Sequence, residues 1–297
     1  MLGQHPQMYG VPELELFTAE TMREWWELCA GATFPRAHGA LRAVAELFFG
    51  EQTEETVKLA RGWLRRRTHF TTGYFLEILA ERVHPRLVVV RDKTSLWKST
   101  SYVYRPRFMR RAYAMFPSAH FVHVVRHPRG YGESVMKFLH EREKEGRLAP
   151  AHSMRRIAAW SDATDDSAEL DPQRGWFALH TNITKFLETV PPEQHTRIRC
   201  EDILSVPDAV LRAIAGWLGL RTDNAAIEEM KHPERSPFAR FGPPGARFGN
   251  DRFFLKNPAL RPSRAKQQSL DGPLGWRTDG RGFSPQVKRL AREFGYE

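Results

Sequence analysis

The chain of 297 residues is poor in cysteine and has no long hydrophobic run. Its two cysteines, Cys29 and Cys200, are too few for a disulfide framework or a cysteine-based zinc site, and they fit a reducing compartment. No segment approaches the roughly 18 uninterrupted apolar residues of a membrane-spanning helix. Residues 1–10 lack the basic region and apolar core of a secretory signal. These absences predict a cytoplasmic protein without a membrane span.

Several signatures of catalysis and of metal binding are also missing. There is no Gly-x-Ser-x-Gly nucleophile elbow and no Gly-x-x-x-x-Gly-Lys-Ser/Thr phosphate loop, which argues against a serine hydrolase and a nucleotide kinase. His120, His123 and His127 lie close together in the sequence. A strand would place the first two on opposite faces, however, and no nearby cysteine or carboxylate completes a tetrahedral site. We therefore expect no metal.

Positive charge is abundant, with a formal net charge of +10 at pH 7 that comes mostly from arginine. Such a balance suits an anionic ligand or a nucleic acid. The basic runs at residues 65–67 and 110–111 are typical of solvated helix faces, because no recognisable nucleic-acid-binding module surrounds them. We expect no nucleic-acid partner, and a basic nucleic-acid-binding or scaffold protein stays open as the alternative without enzymatic activity.

The most informative stretch, residues 119–138, predicts a strand, a sharp turn and a helix. The apolar run at 121–125 is rich in β-branched residues and indicates a buried strand. Pro128 ends this strand and suits the first position of a helix. Arg126 and Ser134 then converge on the C-terminal edge of a sheet beside a helix N-terminus. Proteins of the α/β class bind anions at that place, because main-chain N–H groups and the helix dipole favour negative charge there.

The rest of the chain alternates between strand-like and helical patterns. Short strands are expected at 11–17, 87–90 and 196–199. Helical patterns occupy residues 18–29, 40–49, 53–66, 71–83, 105–115, 153–167, 172–189, 207–218 and 284–294. Residues 232–269 show no periodicity and predict a long loop or lid. Strands joined by helical crossovers favour an α/β fold, a mostly parallel sheet with helices on both faces, in a single domain spanning residues 1–297.

The stretch Arg126-His-Pro-Arg-Gly-Tyr-Gly-Glu-Ser134 resembles the 3′-phosphate-binding segment of sulfotransferases that use 3′-phosphoadenosine 5′-phosphosulfate (PAPS), including bacterial and tyrosylprotein-type members. In that family an arginine at a strand end and a serine eight residues on hold the 3′-phosphate of the cofactor. The resemblance implies that Arg126 and Ser134 bind PAPS. It also implies transfer of a sulfuryl group, without a metal, to a hydroxyl on a small molecule, a tyrosine or a carrier-bound acceptor.

Two further positions match the family's catalytic pattern. His5-Pro6 followed by Glu13 resembles members in which a glutamate eight residues after the histidine removes the proton of the acceptor hydroxyl. Glu15, on the same face of the expected strand, is the competing candidate. Lys93 follows another expected strand and resembles the family's lysine that offsets charge on the transferred sulfonate. The resemblance therefore implies catalytic roles for Glu13 and Lys93.

The match is weaker elsewhere. Residues 200–204 resemble the family's Tyr-Glu-Asp-Leu segment, but Cys200 stands where an aromatic side chain would touch the adenine. Residues 272–277 loosely resemble the Gly-x-x-Gly-x-Trp-Lys tail that closes over the cofactor. The first strand and 5′-phosphosulfate loop of this P-loop-NTPase-like fold would lie just upstream of Met1. Either the cellular protein begins further upstream, or this chain is a degenerate, catalytically inactive relative. The remaining site residues favour the first interpretation.

Overall fold

A computed structural model describes residues 1–29, 35–91, 105–144, 171–262 and 268–297. The chain divides into two units. The first consists of Met1–Lys93, Thr100–Ala119 and Val206–Ser263. The second consists of Thr94–Ser99, His120–Ser205 and Arg264–Glu297. That the whole chain acts as a single domain stays a prediction.

Helices account for most of the regular structure. In chain order they are α1 (Met22–Cys29), α2 (His38–Phe49), α3 (Glu54–Arg65), α4 (Thr72–Glu81), α5 (Pro106–Met115), α6 (Pro128–Lys144), α7 (Pro172–Leu187), α8 (Cys200–Ser205), α9 (Pro207–Trp217), α10 (Asn224–Met230), α11 (Arg252–Lys256) and α12 (Pro285–Glu293). Short 3-10 helices occur at Leu2–Gln4, Leu16–Thr18, Pro35–Ala37, Pro192–Gln194 and Pro233–Arg235. None of the described helices is both long and apolar enough to cross a membrane.

The described strands form one parallel pair in each unit. In the first unit β1 (Met8–Gly10) pairs with β2 (Leu87–Val89), and Met8 lies opposite Leu87. In the second unit β3 (Phe121–Val125) pairs with β4 (His195–Arg199), and Phe121 lies opposite His195. Parallel neighbours need a crossover, and helices provide it in both pairs. The predicted α/β class with parallel strands and flanking helices is thus confirmed.

Each unit has its own hydrophobic core, and these cores explain why the helices form where they do. In the first unit α1 to α4 bury the side chains that recur at helical spacing, such as Trp25, Leu41 and Phe75. In the second unit Trp176 of α7 packs with Val125 at the end of β3 and with side chains of α12. The cores therefore place the end of β3 and the start of α6 on a rigid support.

Two predicted helix starts are confirmed by their capping geometry. The Thr53 hydroxyl accepts a hydrogen bond from the Thr56 N–H at 3.2 Å, and the Thr71 hydroxyl accepts one from the Tyr74 N–H at 3.0 Å. A threonine oxygen here satisfies a main-chain donor that has no partner within the helix. The helices α3 and α4 therefore begin one residue after each threonine, at Glu54 and Thr72.

Some predictions were wrong. The expected strand at 11–17 is irregular: β1 ends at Gly10, Pro12 lacks a ladder N–H, and Glu15 has a left-handed backbone with φ of 54°. The apolar run at 87–90 indicates a buried strand, but β2 is half exposed, since 51% of Leu87 is accessible. The helix α10 was not expected, and Asp223 caps it. The expected loop at 232–269 contains α11. The expected helix at 153–167 lies outside the described residues.

Two buried histidines hydrogen-bond to each other in the second unit. Arg197 Nε donates to Nδ1 of His123 at 3.4 Å, so the ring proton of His123 is on Nε2, which donates to His180 Nδ1 at 2.8 Å. Burial, reinforced by the charge of Arg197, lowers the pKa of His123 to about 3. Burial also lowers the pKa of His180 well below its usual value. Both rings are therefore neutral at pH 7.

We expect the second unit to lose stability as the pH falls below about 6.5, the pKa of histidine in an unfolded chain. The native pKa of His123 is depressed to about 3, so below pH 6.5 the unfolded chain binds protons that the folded chain does not. His123 alone should cost about 2 kcal/mol of unfolding free energy between pH 7 and pH 5. Urea unfolding at the two pH values, followed by circular dichroism, measures this loss.

The matched variants for this measurement are His123→Gln and His140→Gln. His140 is exposed on α6, so its replacement should leave the pH dependence unchanged. His123→Gln should reduce the pH dependence, because glutamine does not titrate. The same pH dependence in both variants and in the unmodified protein would contradict the expectation.

Candidate functional site

The turn from β3 into α6 is organised by a buried histidine. Nδ1 of His127 accepts a hydrogen bond from the Arg129 N–H at 3.1 Å. Burial lowers the pKa of His127 to about 4, which keeps the ring neutral and Nδ1 able to accept. The first unit repeats this arrangement, since Nδ1 of His5 accepts from the Gln7 N–H at 3.1 Å. In both turns the intervening proline has no N–H, so the next amide is the one that the ring caps. Each His-Pro pair therefore has a structural role.

The structure brings Arg126 and Ser134 to one face at the start of α6. Gly130 and Ser134 lie one turn apart and so share a face of the helix. A Cβ atom on Gly130 would lie 3.2 Å from Nε of Arg126 and 2.8 Å from Oε1 of Gln268. The Arg126 side chain therefore crosses the helix directly beside Gly130, one turn before Ser134, and both side chains are exposed. Gln268 adds an amide to this face, and no sequence motif marks it.

A second guanidinium near this face hydrogen-bonds to the protein's own main chain. Arg129 donates from Nε to the Ser269 carbonyl at 3.1 Å and from its terminal nitrogens to the carbonyls of Asp271 at 2.7 Å and Pro273 at 2.9 Å. The rigid fork of an arginine can serve three such acceptors at once. Arg129 therefore fastens the C-terminal segment to the first turn of α6, a role that nothing in the sequence indicates.

The loosely matching segment at 272–277 packs against the same helix. The Trp276 ring occupies the space where a Cβ atom of Gly132 would lie, so only glycine fits there. The indole N–H of Trp276 donates to Oδ1 of Asp171 at 3.1 Å, and Arg277 forms an ion pair with the other oxygen of this buried carboxylate. Asp171 also accepts from the Gln173 N–H at 3.2 Å, at the start of α7. The segment is thus held against α6 and the start of α7.

The segment after β4 joins the same corner through Glu201. One carboxylate oxygen of Glu201 accepts from the His127 N–H at 2.9 Å, and the other accepts from the Tyr296 hydroxyl at 2.8 Å. Cys200, which precedes it, is half-buried, and burial raises the pKa of its thiol. The carboxylate therefore connects the starts of α6 and α8 to the C-terminus, while the thiol is protonated at neutral pH.

The three closely spaced histidines do not form a cluster. His120 is exposed, His123 is buried against His180, and His127 caps α6. Within the described ranges no group of three histidine, cysteine, aspartate or glutamate side chains is placed to hold a metal ion.

Of the two predicted catalytic residues, Glu13 lies within the described part of the chain and Lys93 does not. Glu13 is half-buried in the first unit, beyond the end of β1, and its N–H donates to the Gly249 carbonyl at 2.7 Å. Glu15 is buried, with Oε2 3.9 Å from Nε of Arg36. Because the segment is not a strand, Glu13 and Glu15 do not share a strand face as expected. Lys93 lies outside the described residues.

Comparisons with known proteins identify the family and the fold of the chain. The model of the sulfotransferase family matches residues 1–224 of the chain. The sulfotransferase domain from the curacin biosynthetic pathway superposes with a TM-score of 0.69 at 20% identity, covering 100% of this chain and 91% of that one. The sulfotransferase domain from the Synechococcus PCC 7002 olefin synthase gives 0.68 at 20% identity, with coverages of 100% and 88%. A search of the curated proteins gave no match. The structural likeness confirms the α/β fold.

We expect Arg129→Lys to loosen the C-terminal segment without unfolding the second unit. A single ammonium cannot reach three diverging carbonyls, so at least one charge-assisted hydrogen bond is lost. The Leu270 and Leu274 amides, which donate to the carbonyls of Glu297 and Arg281, should exchange with solvent roughly tenfold faster or more. Hydrogen–deuterium exchange measures this, with Arg289→Lys on the exposed side of α12 as the matched control. Unchanged exchange in Arg129→Lys would show that the three contacts do not hold the segment.

Proposed function

The chain belongs to the sulfotransferase family, and on that premise we propose that it transfers a sulfuryl group from PAPS to the hydroxyl of an acceptor. The observation that carries the proposal is the polar face at the start of α6. There the Arg126 side chain crosses beside Gly130, one turn before the exposed hydroxyl of Ser134. A parallel strand ends at this point and a helix begins, which is where α/β folds bind phosphate groups.

The chemistry of this face fits the 3′-phosphate of PAPS. Arg126 makes no side-chain hydrogen bond within the described part of the chain, so its guanidinium is available to two phosphate oxygens. Arg129, by contrast, has donated from all three nitrogens to main-chain carbonyls. The Ser134 hydroxyl and the amide of Gln268 would supply further donors, and the N-terminus of a long helix favours the negative charge. Arg126 and Ser134 are therefore the proposed cofactor-binding residues.

Glu13 is the proposed general base. When bound, PAPS supplies an activated sulfuryl group, and the attacking hydroxyl must lose its proton as the new bond to sulfur forms. A carboxylate positioned beside that hydroxyl can accept the proton. Glu13 is more exposed than Glu15, whose carboxylate is buried near Arg36, and this favours Glu13 over its neighbour. Lys93 would offset negative charge on the sulfonate, a role that rests on its resemblance to the family's lysine.

We expect Arg126→Ala to weaken binding of 3′,5′-ADP about 10- to 100-fold, since a charge-assisted contact to phosphate is lost. Ser134→Ala should weaken it less, by about three- to tenfold, because a neutral hydroxyl contributes less. Isothermal titration calorimetry measures both effects, and Arg174→Ala, an exposed arginine on α7, is the control that should bind normally. Salt-dependent DNA binding without affinity for 3′,5′-ADP would instead support the basic nucleic-acid-binding alternative.

Glu13→Gln should lower kcat about 10²- to 10⁴-fold while leaving the affinity for 3′,5′-ADP unchanged, because glutamine cannot accept the proton. The assay follows radiolabelled sulfuryl transfer from PAPS to a panel of phenols and alcohols. Glu27→Gln, on the exposed side of α1, is the matched control and should transfer normally. Normal kcat in Glu13→Gln would assign the base elsewhere. Binding of 3′,5′-ADP by an unmodified protein that transfers nothing would support the inactive-relative interpretation.

A further inference from the structure

Arg42 is a fully buried cation on α2 in the first unit, with 0% of its surface accessible. Its Nε donates to Oε1 of Gln52 at 2.5 Å. Its terminal nitrogens donate to the carbonyls of Phe248 at 3.0 Å and Pro237 at 3.3 Å. These two carbonyls lie near the two ends of an irregular segment, residues 237–250, which we call the Arg42 loop.

Further contacts hold the two ends of the Arg42 loop near the Arg42 side chain. Nε2 of Gln52 also donates to the Pro237 carbonyl at 3.0 Å, and the Asn250 amide donates to the carbonyl of Phe238 at 3.0 Å. The Phe238 ring is buried, with its centroid 5.7 Å from Cζ of Arg42. The Arg42 loop is therefore anchored at both ends, within the stretch that the sequence predicts to be a long loop or lid.

The first residue of α2 holds the loop at a further point. The His38 ring stacks on that of Phe248, with centroids 5.8 Å apart and planes 9° from parallel. Nδ1 of His38 accepts from the Phe248 N–H at 3.2 Å. Burial lowers the pKa of His38 to about 4, so the ring is neutral and can accept at neutral pH. The main chain of Phe248 is thus fixed through both its N–H and its carbonyl.

The Arg42 loop and α2 together enclose the main chain of Glu13. The Glu13 N–H donates to the Gly249 carbonyl at 2.7 Å. On the other side the Glu13 carbonyl fills the space where a Cβ atom of Gly39 would lie. Gly249 has φ of 118°, and a Cβ atom there would lie 3.1 Å from Cα of Gly39 and 3.5 Å from Cδ of Arg42. Gly39, Gly249 and Arg42 therefore form one close-packed support around the Glu13 peptide.

We propose that Arg42 is a positioning residue that fixes the main chain of Glu13 through the Arg42 loop and so aims its carboxylate at the acceptor. The inference rests on the proposed role of Glu13 as the base. A buried cation whose partners are an amide and two carbonyls is costly to desolvate, and an apolar side chain would fill the same core space more cheaply. A guanidinium, however, carries its donors on three separate nitrogens, and these serve carbonyls that an irregular segment leaves without strand or helix partners.

The principal test is Arg42→Lys. We expect kcat for sulfuryl transfer to fall roughly 10- to 100-fold, the effect of misplacing a catalytic group by about 1 Å. The KM for PAPS and the affinity for 3′,5′-ADP should stay within about twofold, because the residues proposed to bind the 3′-phosphate belong to the second unit. The Glu13 amide should exchange with solvent at least about tenfold faster. A lysine that only weakened the fold would not produce this split between kcat and KM.

Three further variants complete the experiment. Arg61→Lys is the control, since Arg61 donates to the Gly245 carbonyl of the same loop at 3.4 Å from the exposed side and should change neither kcat nor exchange. Gly39→Ala moves a methyl group onto the Glu13 carbonyl, so it should lower kcat if the position of the Glu13 main chain sets the rate. Gln52→Met removes the acceptor of Arg42 Nε and keeps the guanidinium. It should lower kcat and speed exchange of the Glu13 amide, and unchanged values would overturn the role of Arg42 even if Arg42→Lys does not fold.

The outcomes separate this inference from the proposed function. Unchanged exchange at the Glu13 amide in Arg42→Lys, or faster exchange with unchanged kcat, would overturn the positioning role. Normal transfer by Glu13→Gln would instead overturn the proposed base. In that case the exchange measurement still decides whether Arg42 fixes the main chain of Glu13, because it does not depend on activity.

Discussion

Hydrogen bonds from guanidinium groups to main-chain carbonyls hold the irregular segments of both units. Irregular chain leaves its carbonyls without ladder or helix partners, and a buried carbonyl that stays unpaired is costly. Arg42 serves carbonyls in the loop around Glu13, and Arg129 serves carbonyls in the segment beside Arg126. The proposed base and the proposed phosphate-binding face therefore both lie beside irregular segments that an arginine helps to hold.

The strand–turn–helix at Arg126 was predictable because its signals are local. The β-branched run ends where β3 ends, and Pro128 begins α6 as its fixed φ allows. The stretch around Glu13 was not predictable, because its alternation of apolar and polar residues is that of a strand. Leu14 and Leu16 are buried by tertiary contacts of an irregular segment, and the left-handed backbone at Glu15 breaks the period. Apolar periodicity indicates which side chains are buried. Here the side chains are buried although the segment is not a strand of a β-sheet.

The supporting roles of Arg42 and Arg129 could not be predicted from the sequence for a different reason. Arg129 and the carbonyl of Ser269 are 140 residues apart, and Arg42 and that of Phe248 are 206 apart. Every residue type has the same main-chain carbonyl, so the residue type at the acceptor position does not indicate the contact. The packing of the tail at 272–277 was not predictable for a related reason. Its fit to α6 depends on the missing side chain of Gly132, a feature of the partner and not of the tail.

Hydrogen bonding within the protein also determines which of the positive charges can bind an anion. A net charge of +10 suggests a polyanionic partner when all arginines are counted alike. Arg129, close to the proposed site, already donates from all three of its nitrogens to main-chain carbonyls, whereas Arg126 makes no side-chain hydrogen bond to the described residues. Anion binding requires donors that are both charged and unsatisfied, and composition reports only the first property. Among the described residues, donor occupancy distinguishes Arg126 from Arg129, and this makes Arg126 the better candidate of the two for the proposed phosphate contact.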